Sequence, residues 1–228
     1  MERHFHEQLR HLRHRLIVMG GAVEKSISDS VKAFTTPDDS IAEQVFGHED
    51  EINLMEMEID DLCLMLLALH QPMAVDLRFI TSAMKINNDL ERMADHSVNI
   101  AQASLKISGA RLAGPMGVIS EMAEIAQGMV RDSLQSFVDE DAAKARDVCK
   151  RDDRVDRLDD EVFKQMVGWV NGDFGLLYAA MRVVLISKNL ERIADLSTNI
   201  AEEVIFIVQA RSIKHHQGDG EVVDMRSK

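Results

Sequence analysis

The sequence predicts an all-α protein built as two tandem antiparallel three-helix bundles related by pseudo-twofold symmetry. Three observations predict it. The stretch 86–101, INNDLERMADHSVNIA, recurs at 186–201 as ISKNLERIADLSTNIA, with 10 of 16 positions identical at an offset of 100. That offset is too long for a solenoid unit and suits a duplicated small domain. Apolar residues recur at steps of three and four in both halves, the period of a helix buried along one face. The composition agrees, since 4% aromatic residues, three prolines and 14 methionines favour helices over sheets.

Each element follows in order. The first helix is marked by Phe5, Leu9, Leu12, Leu16, Met19, Val23, Ile27, Val31 and Phe34. Thr36-Pro37-Asp38-Asp39 then offers an N-cap, a proline suited to the first helical position and acids for the first turn. The second helix is expected over 37–69, with Ile41, Val45, Ile52, Ile59, Leu62, Leu66 and Leu69 inward. His70-Gln71-Pro72 ends it, because proline disfavours helix in the residue before it. The third helix, 75–108, carries the first motif copy, and the Gly109–Gly117 break is the domain boundary. The first bundle is thus expected over 1–110 and the second over 115–212, with helices at 116–137, 141–170 and 174–212. Val138-Asp139-Glu140 and Asn171-Gly172-Asp173 separate those helices, and 213–228 is expected to be a disordered tail.

A net charge of −13 argues against a nucleic-acid partner held by phosphate neutralisation. Cys63 and Cys149 do not match across the repeat and form no Cys-x-x-Cys pair, so they read as buried free thiols of a reducing compartment. The charged first 15 residues carry no secretion signal, and no apolar run approaches the ~20 residues that span a bilayer. The expected location is cytoplasmic. Met55, Met57, Met65, Met84 and Met93 read as soft core filler. His11 and His14 are expected to be exposed, and Arg3, Arg10, Arg13 and Arg15 to form a solvated face of the first helix.

The repeated helix carries the chemistry. Residues four apart share a helix face, so Glu91, Asp95 and Asn99 make a polar stripe, twinned by Glu191, Asp195, Asn199 and Glu202. Two carboxylates at that spacing repel by roughly 0.2–0.5 kcal/mol, and the chain places them so in both halves. At an offset of 103 on the preceding helices, Glu49, Asn53 and Glu56 align with Asp152, Asp156 and Asp159. If those helices pack beside the motif helices, each bundle presents facing rows of oxygen donors. Such rows suit iron, manganese, magnesium or calcium rather than structural zinc. A solvated, metal-free face is the alternative, because Arg92 and Arg192 stand three residues before Asp95 and Asp195. No Glu-x-x-His pair, Walker loop, His-Glu-x-x-His or Gly-x-Ser-x-Gly occurs, and no enzyme is predicted.

The segment Gln71-Pro72-Met73-Ala74-Val75-Asp76-Leu77-Arg78, followed by Asn88-Asp89-Leu90-Glu91-Arg92-Met93-Ala94-Asp95, resembles the PhoU family of bacterial phosphate-transport accessory proteins. The second copy, Asn189 to Asp195 with Asn199-Ile200, is equally close, and the resemblance runs from about Phe5 to Arg211. It implies a Glu/Asp-x-x-x-Asp signature in each bundle that holds multinuclear metal clusters in some members. Carried onto this chain, the signature is Glu91/Asp95 and Glu191/Asp195, with Asp152/Asp156 on the second bundle's partner helix and Glu49/Asn53 on the first. Asn53 in place of an aspartate removes one charge there. Metal ions are the implied cofactors, with zinc joining iron, manganese, magnesium and calcium as candidates. The resemblance further implies a non-catalytic adaptor, a homodimer reaching the membrane only through its partners. Those partners are a phosphate ABC transporter ATPase and a sensor histidine kinase, and the effect is repression of the phosphate-starvation response. A carboxylate-bridged metal enzyme and a purely structural helical dimer are the rival readings.

Overall fold

Six helices form where the apolar stripes and capping residues direct them. They are α1 (Glu2–Thr35), α2 (Asp39–His70), α3 (Ala74–Leu105), α4 (Met116–Asp139), α5 (Ala142–Gly172) and α6 (Leu177–Gln209). A single 3-10 turn, Phe174–Leu176, leads into α6. The computed structural model describes residues 2–36, 38–107 and 116–210. The expected roles of Pro37, of the 109–115 part of the break and of the 213–228 tail fall outside these described residues.

Local chemistry sets the helix starts. Asp38, not Thr36, is the N-cap of α2, its carboxylate accepting from Ser40 N at 3.0 Å, so this helix begins two residues later than expected. Asp141 caps α5 by accepting from Ala143 N at 2.8 Å and Lys144 N at 3.0 Å. Bonds to the ionised form, from the Ser40 side chain and then its backbone for Asp38 and from the Lys144 and Ala143 backbone for Asp141, hold both carboxyls below the usual range. Asp173 turns the chain into α6 by accepting from Gly175 N at 2.8 Å. The expected break at Asn171-Gly172 is instead the last turn of α5.

Helices α1, α2 and α3 pack on one another, as do α4, α5 and α6, giving two three-helix bundles. The bundles join along α3–α6 and α1–α4, leaving α2 and α5 on the outside. One continuous apolar core runs through both halves, including Leu16, Met19, Ile80 and Leu90 from the first and Met129, Phe137, Val183 and Leu190 from the second. All nine apolar positions expected to face inward on α1 reach this core. Phe79 of α3 stacks on Phe137 of α4, with ring centroids 5.5 Å apart, and the Arg13 guanidinium of α1 lies over both rings. Arg13 also donates to Val138 O at 3.2 Å and to Glu140 Oε1 at 2.6 Å, and Arg15 pairs with Glu58. These two arginines therefore tie helices together and are not the solvated residues expected.

Other expectations fail where helices overrun their neighbours. Leu69 is 68% exposed, because the α2–α3 turn stands at the end of the bundle. Met57 and Met65 also face outward, so only Met55, Met84 and Met93 of the five methionines fill core space. Cys63 is a buried free thiol as expected, whereas Cys149 is only half-buried. Burial pushes these thiols up to about 12 and about 11. His11 and His14 are exposed.

Gly20 lies where α1 meets α4, and a Cβ there would come within 2.4 Å of Leu134 Cδ1. Gly21, next to it, faces open space. Gly21→Ala is expected to stabilise the fold by about 0.5–1 kcal/mol, the helix-propensity gain. Gly20→Ala is expected to gain less or to destabilise, because Leu134 must move. Urea denaturation of the two variants separates these outcomes.

Candidate cation sites on the repeated helices

Helical geometry places the repeated acids. Four residues apart, Glu91 and Asp95 of α3 point within about 40° of each other, as do Glu191 and Asp195 of α6. α2 packs against α3 and α5 against α6, so each pair is faced by a second acid-bearing helix.

In the first bundle Glu49 and Glu56 of α2 meet Glu91 and Asp95 of α3. Burial pushes the Glu91 carboxyl up, helped by Asp95, Glu56 and Glu49 and opposed by Arg92. Glu49 is raised by burial, then by Asp95 and Asp50, and Glu56 by burial and then Asp60. The Asn87 amide joins the helices under this patch, donating to Glu56 O at 3.0 Å and to Asp60 Oδ1 at 3.1 Å. Arg92 lies 3.7 Å from Asp89 rather than against Asp95, so the expected pairing within the helix does not form here.

The second bundle repeats the patch with more charge of both signs. Burial raises Asp156, with Asp195 and Asp153 adding to it and Lys188 opposing. Glu191 is raised by burial and then Asp195, with Lys188 and Arg192 opposing. Its Oε2 is buried and accepts no hydrogen bond among the described residues, although Arg192 Nε lies 3.5 Å away. Arg192 does pair with Asp195, at 2.9 Å. The buried Asp159 accepts from Ser187 Oγ and from Lys188 Nζ, the latter at 2.5 Å. That bond keeps the Lys188 ammonium protonated beyond its usual range.

The duplication makes the difference legible. Asp156 stands where the first half has Asn53, and Lys188 stands where it has Asn88. The added acid is accompanied by an added cation. Lys188, Ser187 and Asn87 were not among the expected site residues; the mismatches at 87/187 and 88/188, one turn before the repeated Glu and Arg, mark their places.

The remaining expected donors lie at the margins. Asp152 is half-buried and, with Glu202, acts on the Cys149 thiol. Asn199 lines a cleft between α3 and α6 with Lys85, Asp89 and Glu203, away from Glu191 and Asp195. Eight residues along a helix the direction has turned by about 80°, so a stripe at steps of four leaves the face. Asn99, its counterpart, is exposed.

Among the described residues no three His, Cys, Asp or Glu side chains converge closely enough to hold a metal ion as they stand. The donor chemistry nonetheless fits a hard cation. The ligand atoms are oxygens, burial and then the neighbouring acids raise Glu91 and Glu191, and one buried Glu191 oxygen takes no hydrogen bond among the described residues. The residues that would hold it are Glu49, Glu91 and Asp95 in the first bundle and Asp156, Glu191 and Asp195 in the second.

A family model of the PhoU domain matches residues 16–104 and 119–204, one match in each half. A phosphate-specific transport system accessory protein PhoU homolog of Clostridium acetobutylicum is 34% identical over 210 residues, 92% of this chain and 96% of that protein. The Pseudomonas aeruginosa homolog is 34% identical over 213 residues, 92% of this chain and 88% of that protein. The crystal structure of PhoU from P. aeruginosa superposes with a TM-score of 0.88 at 33% identity, covering 91% of this chain and 100% of that one. That of the phosphate transport system regulatory protein PhoU from Streptococcus pneumoniae gives 0.85 at 29% identity, covering 91% and 98%.

A carboxyl raised in the folded state binds its proton more readily there than in the unfolded chain. Stability therefore falls as pH rises from the unfolded value through the folded one. In chelator-treated protein, Glu91→Gln is expected to raise stability at pH 7 by roughly 0.2–0.5 kcal/mol, the repulsion of one such pair. The gain should vanish below the ordinary value of 4.5, where Glu91 is protonated in both states. Urea melts on both sides of that value check it.

Proposed function

The chain belongs to the PhoU family, and on that footing we propose that it restrains phosphate uptake and signalling as an adaptor. Its partners are the ATPase of a phosphate ABC transporter and a sensor histidine kinase, and its effect is to hold the phosphate-starvation response off. The observation that carries the reading is the match of both halves to the PhoU domain, together with relatives named as accessory proteins of phosphate-specific transport. The family is one of regulatory accessory proteins, not enzymes.

Physical features support an adaptor. The helices are long and stiff, with 32 residues in α2 and 33 in α6, and they present wide faces. Among the described residues no helix is long and apolar enough to cross a membrane, so contact with a membrane complex would run through that complex. Asp95 and Asp156 are exposed, which puts the acid rows within reach of a partner's surface. Metal ions on these rows would supply positive charge, screening carboxylates that otherwise repel an acidic partner. The outer helix α2 also presents an apolar stripe of Leu54, Met57 and Leu64, which supports a homodimer.

The test is affinity capture from membranes of phosphate-replete cells, using the native protein and the Glu191→Ala/Asp195→Ala variant. Recovery of the transporter ATPase and the kinase, reduced severalfold with the variant, is the expected result. Recovery of neither partner by the native protein would overturn the adaptor reading. Light scattering of the same preparations would overturn the homodimer if it gave the mass of one chain.

A further inference from the structure

A second cleft, of about 780 Å³, opens between the start of α1, the start of α3 and the end of α6. Its walls carry Arg10, Arg13 and Arg78 beside Leu9, Val75 and Phe79, together with Asp76 and Glu140. Three fixed cations against two acids make a positive recess on a chain whose net charge is −13. We propose that this cleft binds a small phosphate-bearing molecule, its phosphate on the arginines and its body against the apolar wall.

Four observations carry the assignment. Among the described residues Arg10 and Arg78 have no hydrogen-bond or ion-pair partner, and the Arg78 Nε is removed from solvent. Both guanidinium groups line the cleft with N–H donors uncommitted, and an oxyanion in it accepts from such donors in the fork geometry that phosphate matches. Arg13 is already oriented, held over Phe79 at 5.1 Å and against Glu140 at 2.6 Å. The repeat provides an internal comparison as well. The motif keeps its packing residues in both halves, but Tyr178 and Ala179 stand where Arg78 and Phe79 stand, so the bundle does not require an arginine there. The volume lies in the ~300–1,000 Å³ range of cofactor-sized sites and exceeds what a bare phosphate fills.

The cleft is lined by none of the acid-row carboxylates, and the proposal does not depend on metal there. Calorimetric titration of the full chain in EDTA, with ATP and separately with inorganic phosphate, tests it. ATP is expected to bind and phosphate to displace it; phosphate binding alone would assign the site to the free ion. Arg78→Gln should weaken the binding by about tenfold or more, the usual effect of removing a charge-assisted bond. Arg10→Gln, at an exposed position that cannot threaten folding, should weaken it severalfold. Glu140→Gln should tighten it, by removing an acid while Phe79, Phe137 and Val138 O still hold Arg13 in place, which a merely structural arginine cluster would not do. Failure of both probes to bind, or equal affinity in the native protein and in Arg78→Gln and Arg10→Gln proteins that melt normally, would overturn the proposal.

Discussion

Each repeated helix has to satisfy three neighbours at once, and the rest of the molecule follows from that constraint. α3 packs on α1, α2 and α6, and α6 packs on α4, α5 and α3. Close approach on several sides requires small residues, and Ala94, Ser97 and Ala101 are buried together with Ala194, Ser197 and Ala201. The buried hydroxyls bond back to their own helix, Ser97 to Met93 O at 3.0 Å and Ser197 to Ile193 O at 2.8 Å. No polar group is left exposed to apolar surroundings by those serines. The edge that remains on each helix faces its outer helix, α2 or α5, and carries the acids.

That arrangement explains why the motif is both structural and charged. The α3–α6 seam is fastened at one end by the buried Glu203, which accepts from Ser82 Oγ at 2.8 Å and Lys85 Nζ at 2.9 Å. Nearer the middle, His96 Nδ1 meets Asn189 Oδ1 at 2.9 Å. Neither bond has a copy in the other half, since Arg182, Leu185, Ala103 and Leu196 occupy the corresponding places. Symmetry is kept where backbones must approach and dropped where a polar clasp fixes the seam. The acid rows lie between these cases, with Glu91 and Asp95 repeated as Glu191 and Asp195 but the acid Asp156 and the lysine Lys188 in only one half.

The helices, their order and most of the inward positions were legible in the sequence, because a buried face writes a period of 3.6 and a duplication writes it twice. Glu91/Asp95 and Glu191/Asp195 were legible for the same reason, as was their facing of Glu49 and Asp156. What escaped was everything set by side-chain choice among close options. Arg92 and Arg192 occupy equivalent places, yet one turns back to Asp89 and the other forward to Asp195, as neighbouring charges dictate. Asn199 left the expected face because four-residue steps drift around a 3.6-residue helix. Leu69 kept the apolar period at a position where no neighbouring helix covers it, whereas Met57 stands two residues from Ile59, on the opposite face of α2. The arginines of α1 resembled a solvated face because their partners, Glu58 and Glu140, lie far along the chain.

We propose that the crowded carboxylates on the repeated helices are cation sites and not merely solvated acid. The direct measurement is the melting temperature of tag-free, chelator-stripped protein as manganese or ferrous ion is added. The account predicts a rise that grows with the logarithm of metal concentration, as for any ligand bound only by the folded state. The rise should disappear in the Glu91→Ala/Asp95→Ala/Glu191→Ala/Asp195→Ala protein. A melting temperature indifferent to metal, or a rise of equal size in that variant, would contradict it.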